Sequence, residues 1–264
     1  MKSTVLADLF YRVGINPFYV VTFLVIFVPS CTFLFFTVVT GFKLFMSLLA
    51  TFIIFIFCSS LFYYYFHRNP DRKIPFDDYA VLSPADGKVV YIRKIRRGEI
   101  IESVKKKNRM TLAELMDINT DNVNPYEVEG YIIGIELQLL DVHVTRAPIT
   151  GRKVLDHHVS GRIVVMTNPR FEVINDRETV VLKQDSADAS TLQVAIVQIA
   201  TFITRTVKSF VREKTRVTQG EPLGMIRLGS QVDVVLFSPN VNILVNEQDR
   251  VYAGLTKLAE KSRV

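Results

Sequence analysis

The chain has 264 residues, a formal net charge of +6 and an apolar share of 49%. Its mean hydropathy of +0.24 is not that of an ordinary soluble protein, and the excess is concentrated near the amino terminus. The two cysteines, Cys31 and Cys58, both fall in that apolar part, which excludes a disulfide framework or a thiolate metal site in the remainder.

Residues 1–17 read as a short cytoplasmic segment carrying Lys2 and Arg12. Phe18 to Thr40 and Leu44 to Phe66 follow as two apolar runs, each long enough to cross a hydrocarbon core of about 30 Å as a helix. Gly41, Phe42 and Lys43 lie between them, so residues 18–66 are predicted to form a transmembrane helical hairpin. Pro29 is a predicted kink. A cleaved signal peptide does not fit, because no small-residue cleavage site follows the first run and a second run comes after it. The short turn also suits a re-entrant hairpin, so full spanning stays open. Basic residues flank the outer ends (Lys2 and Arg12 before, His67, Arg68, Arg72 and Lys73 after), with only Lys43 at the turn. Both ends therefore face the cytoplasm, which puts the protein in the cell membrane with its polar part on the cytoplasmic side. Tyr63, Tyr64 and Tyr65 fit an interfacial aromatic belt.

Residues 67–264 are predicted to be a β-rich domain, sandwich-like or barrel-like, giving a mainly β protein behind a helical anchor. Short period-two runs recur at Val89 to Ile95, Tyr131 to Leu140, Val180 to Leu182, Leu192 to Ile199, Val207 to Val211 and Val232 to Leu236. Turn residues such as Pro84-Ala85-Asp86-Gly87, Ser160-Gly161 and Gln219-Gly220 separate them. Arg96 to Pro125, with Lys105-Lys106-Lys107, reads as an exposed insertion, either solvated or touching anionic lipid. Met110 to Met116 within it is a short helix or a loop. Nucleic-acid binding is not expected, since the aromatics cluster in the apolar runs and not among the basic residues. His157-His158 lacks a third ligand and reads as a strand-edge pair, so no metal is expected.

The segment Gly224 to Val234 contains Gly229-Ser230 ahead of an alternating run. On pattern alone Ser230 is a turn residue, Asp86 a Pro-x-Asp-Gly turn former and His143 a core histidine.

Four ordered blocks change that reading. Phe66-His67-Arg68-Asn69-Pro70-Asp71-Arg72, Ser83-Pro84-Ala85-Asp86-Gly87, Asp141-Val142-His143-Val144-Thr145-Arg146-Ala147-Pro148 and Leu228-Gly229-Ser230-Gln231-Val232-Asp233-Val234 follow the apolar runs in this order. Asn175-Asp176-Arg177-Glu178 is a weaker fifth. Together they resemble the phosphatidylserine decarboxylase family in its short, two-span form, including the archaeal enzymes that act on archaetidylserine.

The resemblance implies that the chain cuts itself between Gly229 and Ser230 and that Ser230 becomes a pyruvoyl group, the only cofactor. Glycine suits the cut because no side chain hinders the approach of the serine hydroxyl. The pyruvoyl carbonyl would form a Schiff base with the amine of a serine phospholipid and accept electrons as carbon dioxide leaves. The resemblance further implies that Asp86 assists self-cleavage and that His143 transfers protons, a role its ordinary pKa suits. The long bacterial form has a second histidine where this chain has Arg146, as in the short form. An arginine is a poor base, so either His143 or Asp86 activates Ser230. Arg146 is instead a candidate for bidentate contact with the lipid phosphate or carboxylate, with Arg152 and Arg227 behind it. The partners implied are the lipid, the membrane and the two cleavage fragments with each other. A homo-oligomer, and the choice between phosphatidylserine and archaetidylserine, are left open. The alternatives are a membrane-tethered serine hydrolase using Ser230, His143 and Asp86, and a tethered β module that has lost processing.

Overall fold

A computed structural model of the chain describes residues 23–39, 44–96, 100–103, 108–117, 129–162, 164, 168, 170–185, 191–200, 207–226 and 230–262. These fall into two compact units, Met1–Pro70 with Leu139–Val142, and Asp71–Gln138 with His143–Val264.

The first unit is helical and apolar. Helix α1 (Val28–Leu34) is flanked by π-helical turns at Phe23–Phe27 and Phe35–Val39. Pro29 near its start cannot donate to the ladder, and the wider turns accommodate the break. Hydroxyls in this apolar setting bond back to their own helix: Ser30 donates to the Ile26 carbonyl at 2.8 Å and Thr32 to that of Val28 at 2.8 Å. Helix α2 (Leu44–Phe66) has 23 residues and a peak mean hydropathy of 2.4. Its apolar side chains, among them Phe45, Phe52, Ile53, Phe57 and Leu61, are exposed around the whole helix, which suits lipid and not water. One helix is thus long and apolar enough to span. The predicted turn at Gly41 to Lys43 and the flanks of the first run lie outside the described residues, so the two-span hairpin stands as an expectation. Beyond α2, Arg68 donates to the Leu140 carbonyl at 2.6 Å and stacks 3.8 Å from the Tyr65 ring centre.

The second unit is built on strands β1 (Ala80–Leu82), β2 (Gly87–Ile95), β3 (Ile100–Ser103), β4 (Asn108–Thr111), β5 (Gly130–Leu137), β6 (Val144–Arg146), β7 (Gly151–Val159) and β8 (Arg177–Lys183). It continues with β9 (Gln193–Ala200), β10 (Val207–Ser209), β11 (Arg216–Val217), β12 (Pro222–Ile226), β13 (Ser230–Leu236), β14 (Val241–Ile243), β15 (Arg250–Val251) and β16 (Lys257–Lys261). An eight-stranded sheet runs β11-β7-β8-β9-β13-β5-β2-β15. Three-stranded sheets β1-β16-β14 and β10-β12-β6 and the hairpin β3-β4 complete the unit, and every strand pair is antiparallel.

Period-two alternation splits the large sheet into two buried faces. Val180, Leu182, Val194, Ile196, Val232, Val234, Ile133 and Ile135 meet residues of the small sheets, such as Val81, Leu223, Ile226 and Leu258. Val181, Ala195, Val197, Val235 and Ile132 form the other core with Leu112, Leu115, Met116 and Phe171. The unit is mainly β and layered, and one of its layers comes from the segment expected to be an exposed insertion. Part of that segment folds inward: after β3 and β4, helix α3 (Leu112–Met116) buries Leu112, Leu115 and Met116. A capping box explains why it forms. Thr111 Oγ1 accepts from the Glu114 amide at 3.1 Å and Glu114 Oε2 from the Thr111 amide at 2.8 Å. Lys105 to Lys107 lie outside the described residues.

Candidate active site

Position 230 is the first residue of β13, between β5 and β9. Its backbone register pairs it with Leu137 on one side and Ala200 on the other. Gly229 and Arg227 lie outside the described residues.

Three of the residues singled out by sequence gather at the sheet end where β13 begins. The β13–β5 register puts Gln231 opposite Glu136, and the β2–β5 register puts Lys88 opposite Glu136 as well. Asp86, two residues before Lys88, therefore lies at the same end, two strands across from β13, roughly 10 Å at ordinary strand spacing. Gly87 allows this, because a Cβ there would meet the backbone of Glu136. The side chain of Asp86 is 2% exposed. Arg72 grips it with both terminal nitrogens, at 2.6 Å to Oδ1 and 2.8 Å to Oδ2, and the Ala253 amide donates to Oδ1 at 2.7 Å.

The Asp86 turn is tied to β6. The Arg146 amide donates to the Pro84 carbonyl at 2.8 Å. The Arg146 side chain is buried and donates to the Gly220 carbonyl at 2.9 Å, a carbonyl set by a turn at which Gly220 has φ +82. Burial lowers the pKa of Arg146 first and the neighbouring Arg72 lowers it next, opposed by the charges of Asp86 and Asp71. Arg72 and Arg146 thus lie close enough to feel each other's charge, with Asp86 and Asp71 offsetting the repulsion.

His143 is fully buried immediately before β6. Its carbonyl accepts from the Ile226 amide at 3.0 Å, which extends the β6–β12 ladder by one step. Two residues on, and so on the same side of the strand, Thr145 donates from Oγ1 to Gln198 Oε1 at 2.9 Å. Gln198 is opposite Val232 of β13 and two residues before Ala200, the partner of position 230. Along β6, the step from Thr145 to His143 runs parallel to the step from Gly224 to Ile226, toward the head of β13. His143, Asp86 and Arg146 are therefore brought to the end of the sheet that carries position 230. Arg152 is not. It pairs with Lys183, at the opposite end of β8, and is exposed beside Asp185 at 3.8 Å.

Sequence reasoning gave no site role to Gln198, to Arg72 of the first block, or to two further polar groups in the sheet. Glu178 lies beside Gln198 in the register. Its carboxyl is pushed up to about 8, chiefly by burial, then by its hydrogen bond with Asp156 and that residue's charge, against the pull of Lys153. Glu178 Oε2 and Asp156 Oδ1 are both buried and neither accepts from a donor among the described residues. A proton retained on Glu178 would give both oxygens a partner. Lys153, fully buried, binds the other oxygen of Asp156 at 2.6 Å and Ser209 of β10 at 2.8 Å. On the opposite face, Tyr91 accepts from Gln231 Nε2 at 3.2 Å, and Gln231 also donates to Asp233 at 2.7 Å. Burial, followed by the charge of Asp233, raises the Tyr91 pKa well above its ordinary value and keeps the phenol neutral. Arg72 and Glu178 fall inside blocks that gave them no role, and Gln198, Tyr91 and Gln231 are polar residues in otherwise alternating strands, so periodicity does not mark them. Among the described residues no cluster of His, Cys, Asp or Glu is placed to hold a metal ion.

The family described as phosphatidylserine decarboxylase matches residues 60–259. The chain is 40% identical over 202 residues to a protein of Methanocaldococcus jannaschii named "Putative archaetidylserine decarboxylase proenzyme", covering 76% of this chain and 90% of that one. It is 31% identical over 201 residues to the "Phosphatidylserine decarboxylase proenzyme" of Carboxydothermus hydrogenoformans, covering 76% and 80%. A third relative, from Methanothermobacter thermautotrophicus, carries the same name as the first and is 34% identical over 194 residues, covering 74% and 78%.

Proposed function

Because the chain belongs to the phosphatidylserine decarboxylase family, we propose that it removes carbon dioxide from the serine headgroup of a phospholipid after cutting itself between Gly229 and Ser230. The observation that carries the reading is the register of β13. Position 230 heads a strand paired on both sides, at the sheet end where Asp86, His143 and Arg146 gather. A cut before that residue leaves the shorter piece seated between β5 and β9, with β16 still between β1 and β14. The two fragments would therefore stay together without a covalent link.

In the cut, the Ser230 hydroxyl adds to the Gly229 carbonyl and the peptide C–N bond breaks as an ester forms. Elimination breaks the ester, and Gly229 keeps both oxygens as a carboxylate. Residue 230, left unsaturated, exchanges its nitrogen for oxygen from water and releases ammonia. The pyruvoyl group so formed fits this position, which becomes the free end of a held strand. It supplies a keto carbonyl that can bond an amine and take up an electron pair.

The chain's own residues do the rest. His143, in a dry site, moves protons at the head of β13. Asp86 is held in one orientation by Arg72 and stands ready to align the group that deprotonates Ser230. The Arg146 guanidinium presents its planar fork to the lipid phosphate or carboxylate. Helix α2 would hold the protein in the membrane, with the domain from residue 67 onward on the cytoplasmic face. Residues 1–17 and 18–66 would serve as the tail and the anchor. Membership of this family leaves the hydrolase alternative without support.

Denaturing gels with mass spectrometry test the proposal. Wild type should give a short fragment running from residue 230 to Val264 with a keto-blocked end, and Ser230→Ala should stay intact and inactive. Vesicles containing phosphatidylserine or archaetidylserine then identify the lipid by carbon dioxide release. An uncut wild-type chain that still turns over lipid would refute the proposal.

A further inference from the structure

We infer that Gln198 is a positioning residue. Through Thr145 it pins the strand carrying His143 over the head of β13, and it matters most once the chain has been cut.

The inference rests on the self-cleavage reading above and on three observations. First, sheet β10-β12-β6 packs against one face of the large sheet through apolar side chains such as Leu223 and Ile226. Apolar packing is non-directional and leaves sliding between layers weakly opposed. Second, the Thr145–Gln198 hydrogen bond joins β6 to β9 at 2.9 Å, with both residues essentially inaccessible to solvent. It is directional, and its loss at one partner leaves a buried polar group unsatisfied. A second polar contact between these layers, Lys153 to Ser209, lies on β7 and β10, away from β6. Third, β12 ends at Ile226 and β13 begins at Ser230, so in the uncut chain three residues join the strand beside β6 directly to the head of β13, in addition to connections such as β5–β6, β6–β7, β9–β10 and β11–β12 between the layers. Cutting between Gly229 and Ser230 removes that tie. The position of His143 relative to residue 230 then depends on the connections of β6 to β5 and β7, on packing, and on the Thr145–Gln198 bond, the directional contact nearest to it.

A paired substitution separates positioning from stability. Replacing both partners with apolar groups of similar shape is close to neutral for folding, so Thr145→Val with Gln198→Met removes the pin without stranding a polar atom. In full-length protein in detergent with serine phospholipid, the double variant should cut itself within a few-fold of the wild-type rate. It should melt at the wild-type temperature and show kcat lowered about ten- to a hundredfold at similar KM, the scale of a small misplacement. Thr145→Ser keeps the hydroxyl and should turn over like wild type. A processed double variant with wild-type kcat overturns the inference, as does one that folds but cannot cut itself. If wild type itself is uncut or inactive, the decarboxylase reading fails instead, and the control in the same experiment tells the two apart.

Discussion

Glu178→Gln should change how the protein's stability depends on pH. In the folded chain burial and Asp156 hold the Glu178 proton up to about pH 8. In the unfolded chain it leaves near the ordinary value of 4.5. Between these limits the folded state carries a proton that the unfolded state has lost. Stability from this group is therefore complete below the lower value, falls as pH rises through the window, and is flat above about 8. One proton corresponds to a slope of about 1.4 kcal/mol per pH unit. For a domain of this size that is roughly 3 °C of melting temperature per unit. Gln offers an N–H to Asp156 Oδ1 as the neutral acid does, but does not titrate. Melting should be followed from pH 5 to 9 in a Ser230→Ala background, so that processing does not mix species. The two proteins should melt within a few degrees of each other at pH 5, and the Gln variant should pull ahead steadily until about pH 8. A difference that stays constant across the range would refute the assignment of a retained proton to Glu178.

Asp86→Asn should stop self-cleavage and lower stability by about 3–5 kcal/mol, since Arg72 would keep a buried charge without its partner. Pairing Asp86→Leu with Arg72→Met should recover the melting temperature but not the cut on a gel. Gly134→Ala should destabilise by about 1–3 kcal/mol in denaturant titrations, because the new Cβ runs into the Tyr91 ring and pushes it off Gln231. Arg146→Lys should still yield processed enzyme but raise KM for the lipid with little change in kcat, because a single ammonium cannot replace the fork; an unchanged KM would remove Arg146 from the lipid site.

Much of this protein could be read before any contact was known. Leu44 to Phe66 is apolar around its whole circumference, and only lipid tolerates that, so its helix followed from composition. The strands around Val180, Ile196 and Val234 followed from alternation, because a period of two has one extended solution. The Asp86, His143 and Ser230 blocks were visible as motifs. The burial of α3 was not, since its surroundings are charged and only three of its residues face the core. Nor were the Arg72 grip on Asp86, the Thr145–Gln198 hydrogen bond and the raised pKa of Glu178. Periodicity is a property of one segment and can be read along the chain. A polar pair inside a core depends on which strands lie side by side and in what register, and only the assembled layers decide that.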